Sequence, residues 1–243
     1  SHIIMDAPDS PRVADFKGKI NLVTETDHRS EKTIKSILKS SFPEHSFLAE
    51  ESGEEATSSD YLWIIDPLDG TTNFVHGYPS FAVSIGLYHQ NTPQIGVVLE
   101  MPHAKLYSAI NGEGAWCEGQ PISCSTTSVL ENSLLVTGFG YEHGEKWEKN
   151  MLLFKSFTDK TQGVRRLGAA AVDLCHVAAG KVDGFWEFDL HPWDTAAGFI
   201  IAREAGAIVT QMDGSDYSIY NNNILVTNPI LHDKMVKVIR SII

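Results

Sequence analysis

Cysteine is scarce in this chain. Cys117, Cys124 and Cys175 are the only three in 243 residues, too few for a disulfide framework. No Cys-x-x-Cys pair exists, which argues against a zinc ribbon or a thioredoxin-type redox site. Such usage suits a reducing compartment, so a cytoplasmic location is expected. No apolar run approaches the roughly 18 residues of a membrane span, and the N-terminus lacks the basic-then-apolar plan of a secretory signal. Basic residues are also few: 19 Lys and Arg stand against 31 Asp and Glu, a net charge of −12. That balance offers nucleic acid no broad basic surface, so neither a nucleic-acid nor a membrane partner is expected. Acidity keeps a protein soluble, and local clusters of it hold divalent cations.

Several motifs are missing too. The 10 histidines contain no His-Glu-x-x-His and read as surface or satisfied core. Gly112-Glu113-Gly114 lacks the third glycine of a dinucleotide fingerprint, and Gly18-Lys19 lacks the rest of a P-loop. The segment around Ser84 lacks the first glycine of a nucleophile elbow. Arg165-Arg166, the tightest basic pair, reads as solvated. No repeat of 20–50 residues and no linker rich in Gly, Ser or Pro is visible. One unit over 1–243 is expected, with two pseudo-halves at roughly 1–130 and 131–243.

What is present reads as alternating helices and strands. Asp27 reads as the N-cap of a helix carrying Ile34, Ile37 and Leu38, ended by Pro43. Ser46 to Ala49 is a short strand candidate. Tyr61 to Ile65 reads as a buried strand stopped by Asp66-Pro67. Phe81 to Tyr88, Gln94 to Met101 and Lys105 to Ile110 predict an antiparallel meander. Its turns fall at Gln90-Asn91-Thr92-Pro93 and Asn111-Gly112. In the second half, strands are expected at 133–137, 182–186, 207–210 and 224–227. Helices are expected at 147–157, 169–179 and 195–205, with Pro229 opening a last one that carries Leu231, Met235, Val238 and Ile239. Mixed α and β layers follow.

The sharpest chemical feature is the string from Asp66 through Pro67, Leu68, Asp69, Gly70, Thr71 and Thr72 to Asn73-Phe74. A strand end followed by a turn brings two carboxylates together. At about 4 Å they repel by roughly 4 kcal/mol at an effective dielectric near 20. A shared proton, a basic side chain or a metal must offset that. Gly70 lets backbone approach a ligand, and Thr71-Thr72 opens a helix whose amides suit phosphate. A divalent cation would reconcile those carboxylates with a phosphate. Glu50-Glu51 alone reads as a solvated acidic loop, and Asp194 alone reads as an N-cap. Both gain weight as further carboxylates near Asp66. The helix behind Asp194 is expected to pack closely through Ala196, Ala197 and Gly198, and Glu187 to face the same cleft.

These residues resemble the inositol monophosphatase family. Trp63 through Phe74, continuing into His76-Gly77-Tyr78-Pro79, is similar to its first motif. Trp193-Asp194-Thr195-Ala196-Ala197-Gly198 is similar to its second. Smaller echoes run through Leu22 to Asp27, Glu50-Glu51-Ser52, Gly112 to Trp116 and Gly168 to Ala171. Thr72-Asn73-Phe74 resembles the inositol monophosphatase branch more than the bisphosphate nucleotidases. The resemblance implies a five-layer αβαβα sandwich, a homodimer, lithium sensitivity and Mg²⁺-dependent hydrolysis of a small phosphorylated polyol such as inositol monophosphate. Histidinol phosphate, a sugar bisphosphate or NADP are alternative substrates, and a binding protein with incidental hydrolysis is an alternative role. Carried over by position, Glu50, Asp66 and the Leu68 carbonyl hold one Mg²⁺, and Asp66, Asp69 and Asp194 a second. A third, weaker ion touches Glu50. Gly70 and Thr71 amides bind phosphate, Thr71 and Glu50 orient the attacking water, and Glu187 and Ala170 contact the alcohol. Asp69 and Asp194 also border the substrate. Two departures stand out. Ala49 replaces a frequent glycine, and fewer residues precede Leu22 than in relatives. The family's mobile-loop lysine falls at Lys17 or Lys19. Hard Mg²⁺ favours such an oxygen-rich set, and two ions about 3.5–4 Å apart suit in-line displacement by water.

Overall fold

The computed structural model describes residues 2–5, 14–16, 22–140 and 143–243. Helix α1 (His2–Met5) and the paired strands β1 (Ala14–Phe16) and β2 (Leu22–Thr24) precede a long helix, α2 (Glu25–Ser41). Strands β3 (Ser46–Ala49), β4 (Gly53–Glu55) and β5 (Tyr61–Asp69) lead to the short helix α3 (Thr71–His76). A meander follows: β6 (Phe81–His89), β7 (Thr92–Met101), β8 (Lys105–Ile110), β9 (Gly114–Cys117) and β10 (Gln120–Pro121). The second half runs β11 (Leu134–Thr137), α4 (Glu145–Lys160), β12 (Gly163–Arg165), α5 (Ala170–Ala178), β13 (Gly184–Phe188) and α6 (Pro192–Glu204). It closes with β14 (Ile208–Thr210), β15 (Asn223–Thr227) and α7 (His232–Arg240).

Two large sheets organise these elements. The first has the order β10-β9-β8-β7-β6-β5-β3-β4, and the second the order β12-β11-β13-β15-β14. Helix α2 packs on β5 from outside the first sheet, and α5 and α6 lie between the sheets, touching β6 and β7 on one side and the second sheet on the other. Leu153 and Phe157 of α4 and Met235 and Ile239 of α7 cover the far face of the second sheet around Leu135, Trp186 and Leu225. The result is the five-layer αβαβα order. Its largest core is the middle layer, where Val172, Leu174 and Ile201 meet Val98, Phe185 and Val226.

Local chemistry explains where the structure departs from the sequence expectations. Strand β5 runs through Asp66-Pro67 to Asp69 rather than stopping there; a register shift against β6 between Asp66 and Asp69 accommodates the proline, which has no N–H for the ladder. The β6–β7 turn is tighter than expected. Gln90 (φ 47°) and Asn91 (φ 65°) supply the two left-handed residues that match strand twist, and Thr92-Pro93 joins the strand. Helix α2 begins two residues before Asp27, at Glu25: Thr24 is its N-cap and Asp27 the third helical residue of a capping box. Helix α6 likewise starts at Pro192, so Asp194 is not its N-cap; its Oδ2 accepts the His191 amide from the third position at 2.6 Å. Pro229 does not open α7. The Asn228 Oδ1 accepts the Ile230 and Leu231 amides, each at 3.0 Å, and the helix starts at His232. Ile37, read as apolar core of α2, is 62% exposed.

Candidate active site

The first motif sits where β5 leaves the first sheet. Asp66 and Asp69 are both buried, and Leu68 between them is fully so. The Asp66 Oδ1 accepts the Leu68 amide at 3.0 Å, which curls the strand end and turns the Leu68 carbonyl toward Thr71. Gly70 then adopts φ +86°, which L side chains rarely reach, and a Cβ there would lie 3.0 Å from the Ser80 carbonyl and 3.2 Å from Ala169 Cβ. That turn starts α3 at Thr71.

Four other elements converge on this point. Glu50 follows β3 and is tied to β5 by its amide, which donates to the Ile65 carbonyl at 3.2 Å. Ala170 and Ala171 open α5, and the Ala171 amide donates to Asp69 Oδ2 at 2.7 Å. Glu187 is buried near the end of β13, with its carboxylate against the Cα of Gly138; a Cβ on Gly138 would lie 2.1 Å from Glu187 Oε1. Asp194 stands in the first turn of α6. Small residues set that helix close to its neighbours, as expected. A Cβ on Gly96 of β7 would lie 2.5 Å from the Ala197 carbonyl, and one on Gly198 would lie 2.5 Å from Leu174 of α5. Tyr88 OH donates to the Ala196 carbonyl at 3.1 Å.

The electrostatics show that these carboxylates share one space. Burial raises the Asp66 carboxyl well above its usual range, and the charges of Glu50, Asp69 and Asp194 raise it further. Asp69 is raised by burial and by Glu50, against the opposing pull of the Ala171 and Ala170 amides. Glu187 is raised by burial, then by Asp194 and Asp69, with Arg166 opposing. The Arg166 guanidinium lies over the Phe139 ring at 5.5 Å. Among the described residues, no three His, Cys, Asp or Glu side chains already stand at metal-ligating spacing. The donors are nonetheless all oxygen, as Mg²⁺ takes, and each opposes its neighbours' ionisation, which a bound divalent cation would reverse. On that chemistry the set fits Mg²⁺. Lys17 and Lys19 lie outside the described residues.

Sequence reading missed three participants. Thr71 Oγ1 donates to Asp27 Oδ1 at 3.0 Å, with the Leu68 carbonyl as a second acceptor at 3.1 Å, and Asp27 is fully buried. Reading Asp27 as a cap concealed its outward oxygen. Asn73 Nδ2 donates to the Ser80 and Leu167 carbonyls at 2.6 and 2.7 Å, binding α3 to the segment before α5. Asp173 of α5 is buried with neither oxygen hydrogen-bonded among the described residues; burial, then Glu187 and Asp69, raise its carboxyl.

Acidic oxygens at a strand end, an adjoining left-handed glycine that starts a helix, and a second helix delivering Asp194 sit in the five-layer sandwich shared with solved inositol monophosphatases. The chain matches the inositol monophosphatase family over residues 2–243, and it belongs to that family. It is 50% identical over 244 residues to "Phosphatase IMPL1, chloroplastic" of Arabidopsis thaliana, covering 98% of this chain and 66% of that one, so it spans just under two thirds of that relative. A solved inositol monophosphatase from Anabaena (Nostoc) sp. PCC 7120 superposes with a TM-score of 0.83 at 44% identity, covering 90% of this chain and 87% of its own. The chain is also 41% identical to a "Putative Nus factor SuhB" of Neisseria meningitidis serogroup A, covering 93% of this chain and 87% of that protein. No described helix is long and apolar enough to cross a membrane.

Proposed function

We propose that this protein hydrolyses a small polyol phosphomonoester, inositol monophosphate first among them, with Mg²⁺ as cofactor and as one unit whose halves, 1–130 and 131–243, both contribute to the site. The observation that carries this reading is the convergence of Glu50, Asp66, Asp69 and Asp194 on one partly buried space beside Gly70-Thr71. Two or three Mg²⁺ ions held by Glu50, Asp66, the Leu68 carbonyl, Asp69 and Asp194 would supply Lewis acidity and neutralise phosphate charge. The chain's own groups do the rest. The Gly70 and Thr71 amides take phosphate oxygens. Thr71 donates its hydroxyl hydrogen bond to Asp27, so an oxygen lone pair is left to accept the hydrogen bond of the attacking water; the water's proton passes to Thr71 as the Thr71 proton passes to Asp27, and Glu50 orients that water. Glu187 and the α5 start at Ala170 face the alcohol, and Asp69 and Asp194 close the space between phosphate and polyol. No covalent nucleophile is needed.

The same reading carries a homodimer, lithium sensitivity and a reducing compartment, the last supported by three free thiols. A second reading is favoured by the likeness to the Nus-factor relative: the fold serves binding, and hydrolysis is incidental. The test is phosphate release from inositol 1-phosphate, histidinol phosphate, fructose 1,6-bisphosphate and NADP, with Mg²⁺ and with EDTA. Mg²⁺-dependent release concentrated on inositol 1-phosphate supports the proposal, and release concentrated on another substrate moves it to that branch. Folded protein releasing none of them supports the binding role.

A further inference from the structure

Every fully buried residue of α2 is polar: Asp27, Ser30, Glu31 and Lys35. Spaced at i, i+3, i+4 and i+8, they form one stripe along the helix. Its apolar neighbours Ile34 and Leu38 are only partly buried. Each stripe residue reaches a strand end, helix start or turn around the candidate site. Asp27 takes Thr71, and Ser30 Oγ donates to the Pro67 carbonyl at 3.0 Å. Glu31 Oε2 accepts the Glu51 amide at 2.8 Å. Lys35 Nζ donates to Ser52 Oγ at 2.7 Å and pairs with Glu55. Burying a carboxylate and an ammonium is costly unless each is satisfied, and an apolar stripe would seat the helix at less cost. What the polar stripe adds is a directional grip on the residues next to Glu50. β5 holds the Glu50 amide from one side, and α2 holds Glu51 and Ser52 from the other.

We propose that Glu31 and Lys35 are positioning residues that fix the 50–52 turn, so that the Glu50 carboxylate is set toward Asp66 before any cation arrives. This rests on the reading of Glu50 as a Mg²⁺-binding and water-orienting group. Neither residue touches substrate. Outer partners of metal ligands typically alter metal affinity by about 10–100-fold when lost.

The test uses the full chain with Glu31→Met, Lys35→Met and Ser52→Ala, and with Glu31→Gln as the conservative variant. Ser52→Ala removes the Lys35 acceptor in the 50–52 turn, leaving Glu55 and the helix untouched, so the test still decides if the α2 variants fail to fold. Two readouts are taken: hydrogen exchange over residues 50–53 in metal-free protein, and Mg²⁺ affinity by calorimetry. Glu31→Met and Lys35→Met should speed exchange at 50–53 and weaken Mg²⁺ binding about tenfold, lowering kcat with little change in KM. Ser52→Ala should reproduce the direction of the Lys35→Met effect. Glu31→Gln keeps an acceptor for the Glu51 amide and should stay close to wild type. Wild-type exchange and Mg²⁺ affinity in Glu31→Met, Lys35→Met and Ser52→Ala would overturn the proposal. Glu50→Gln separates the two failures. If Glu50→Gln weakens Mg²⁺ binding and turnover while the three variants do not, the positioning role alone is wrong. If Glu50→Gln behaves as wild type, the underlying reading of Glu50 is wrong, and the proposal falls with it.

Discussion

Thr71 and Asp27 are linked at 3.0 Å, and the other Asp27 oxygen is already taken by the Thr24 amide at 2.8 Å and hydroxyl at 2.5 Å. The carboxylate is therefore held in one orientation, with its free direction toward Thr71. Thr71→Ala should lower kcat about 10²-fold, the usual worth of a positioned proton acceptor, with KM within a few-fold of wild type. Steady-state kinetics on the preferred substrate decide it, and a loss confined to KM would move Thr71 from water activation to binding. Asp194→Asn is the matching test across the site. Asparagine keeps an oxygen for the His191 amide, so the helix start should lose less than about 1 kcal/mol. Turnover should nevertheless fall about 10²-fold or more, because a charged ligand is gone; wild-type turnover would remove Asp194 from the metal set. The pair Asp66 and Asp69 was distinctive in its own motif, whereas Glu50 and Asp194, read alone as a solvated loop and a cap, entered the candidate site through the family resemblance. Asp27 was hidden because an aspartate beside a helix start looks the same whether it only caps or also reaches 44 residues away.

Helix α6 carries Asp194 and is wedged between β6–β7 and α5, a fit that needs missing side chains on both strands and, toward α5, on α6 itself at Gly198. A Cβ on Gly86 would lie 3.1 Å from Ala196 Cβ, and one on Gly96 would lie 2.4 Å from Ile200 Cγ2. Gly96→Ala should therefore overpack this contact at about 1–3 kcal/mol. In a chain of this size that lowers Tm by roughly 2–4 °C per kcal/mol. Pushing α6 off the sheet should also raise the Mg²⁺ concentration needed for half-maximal activity. Thermal melts and a Mg²⁺ titration check both, and an unchanged Tm would show that the helix gives way freely. The small residues of α6 were legible in Ala196-Ala197-Gly198, whereas the glycines that receive them were not, since a glycine in a strand reads equally as a bulge or an edge. Strand β5 was readable as far as Ile65 from its apolar run. Its continuation through Pro67 was not, because only the pairing register absorbs a residue without an N–H. The polar stripe of α2 gave no signal: hydrophobic periodicity finds apolar residues, here the partly buried Ile34 and Leu38, and passes over a polar stripe beside them.

Across the whole molecule, two groups of carboxyls respond to pH in opposite senses. Burial works against the charge of Glu100, but the His176 ring at 3.1 Å, Lys181 and the Tyr107 hydroxyl more than offset it and hold the carboxyl at about 2. A lowered carboxyl stabilises the fold above its unfolded value near 4.5, and that contribution is lost as pH falls toward 2. Asp66, Asp69, Asp173 and Glu187 are raised instead, each first by burial and then by one another or their acidic neighbours. There the folded chain holds more protons than the unfolded one, so stability is highest at low pH and declines as pH rises through the folded values. Metal-free protein should accordingly be most stable near pH 4, where the unfolded carboxyls begin to ionise, losing Tm toward pH 3 and again toward pH 8. Mg²⁺ competes with the protons for Asp66 and Asp69 and binds best where they are ionised. It should therefore add little at pH 5 and progressively more toward pH 8, by several degrees at saturating concentration. Melts from pH 3 to 8 in EDTA and in Mg²⁺ measure the two curves directly. Parallel curves, or an EDTA curve flat between pH 5 and 8, would mean that the carboxylates are neutralised by something other than a cation or a proton. Curves that separate only on the alkaline side would tie the ionisation of the buried acidic centre to metal occupancy, with the acid limb left to Glu100.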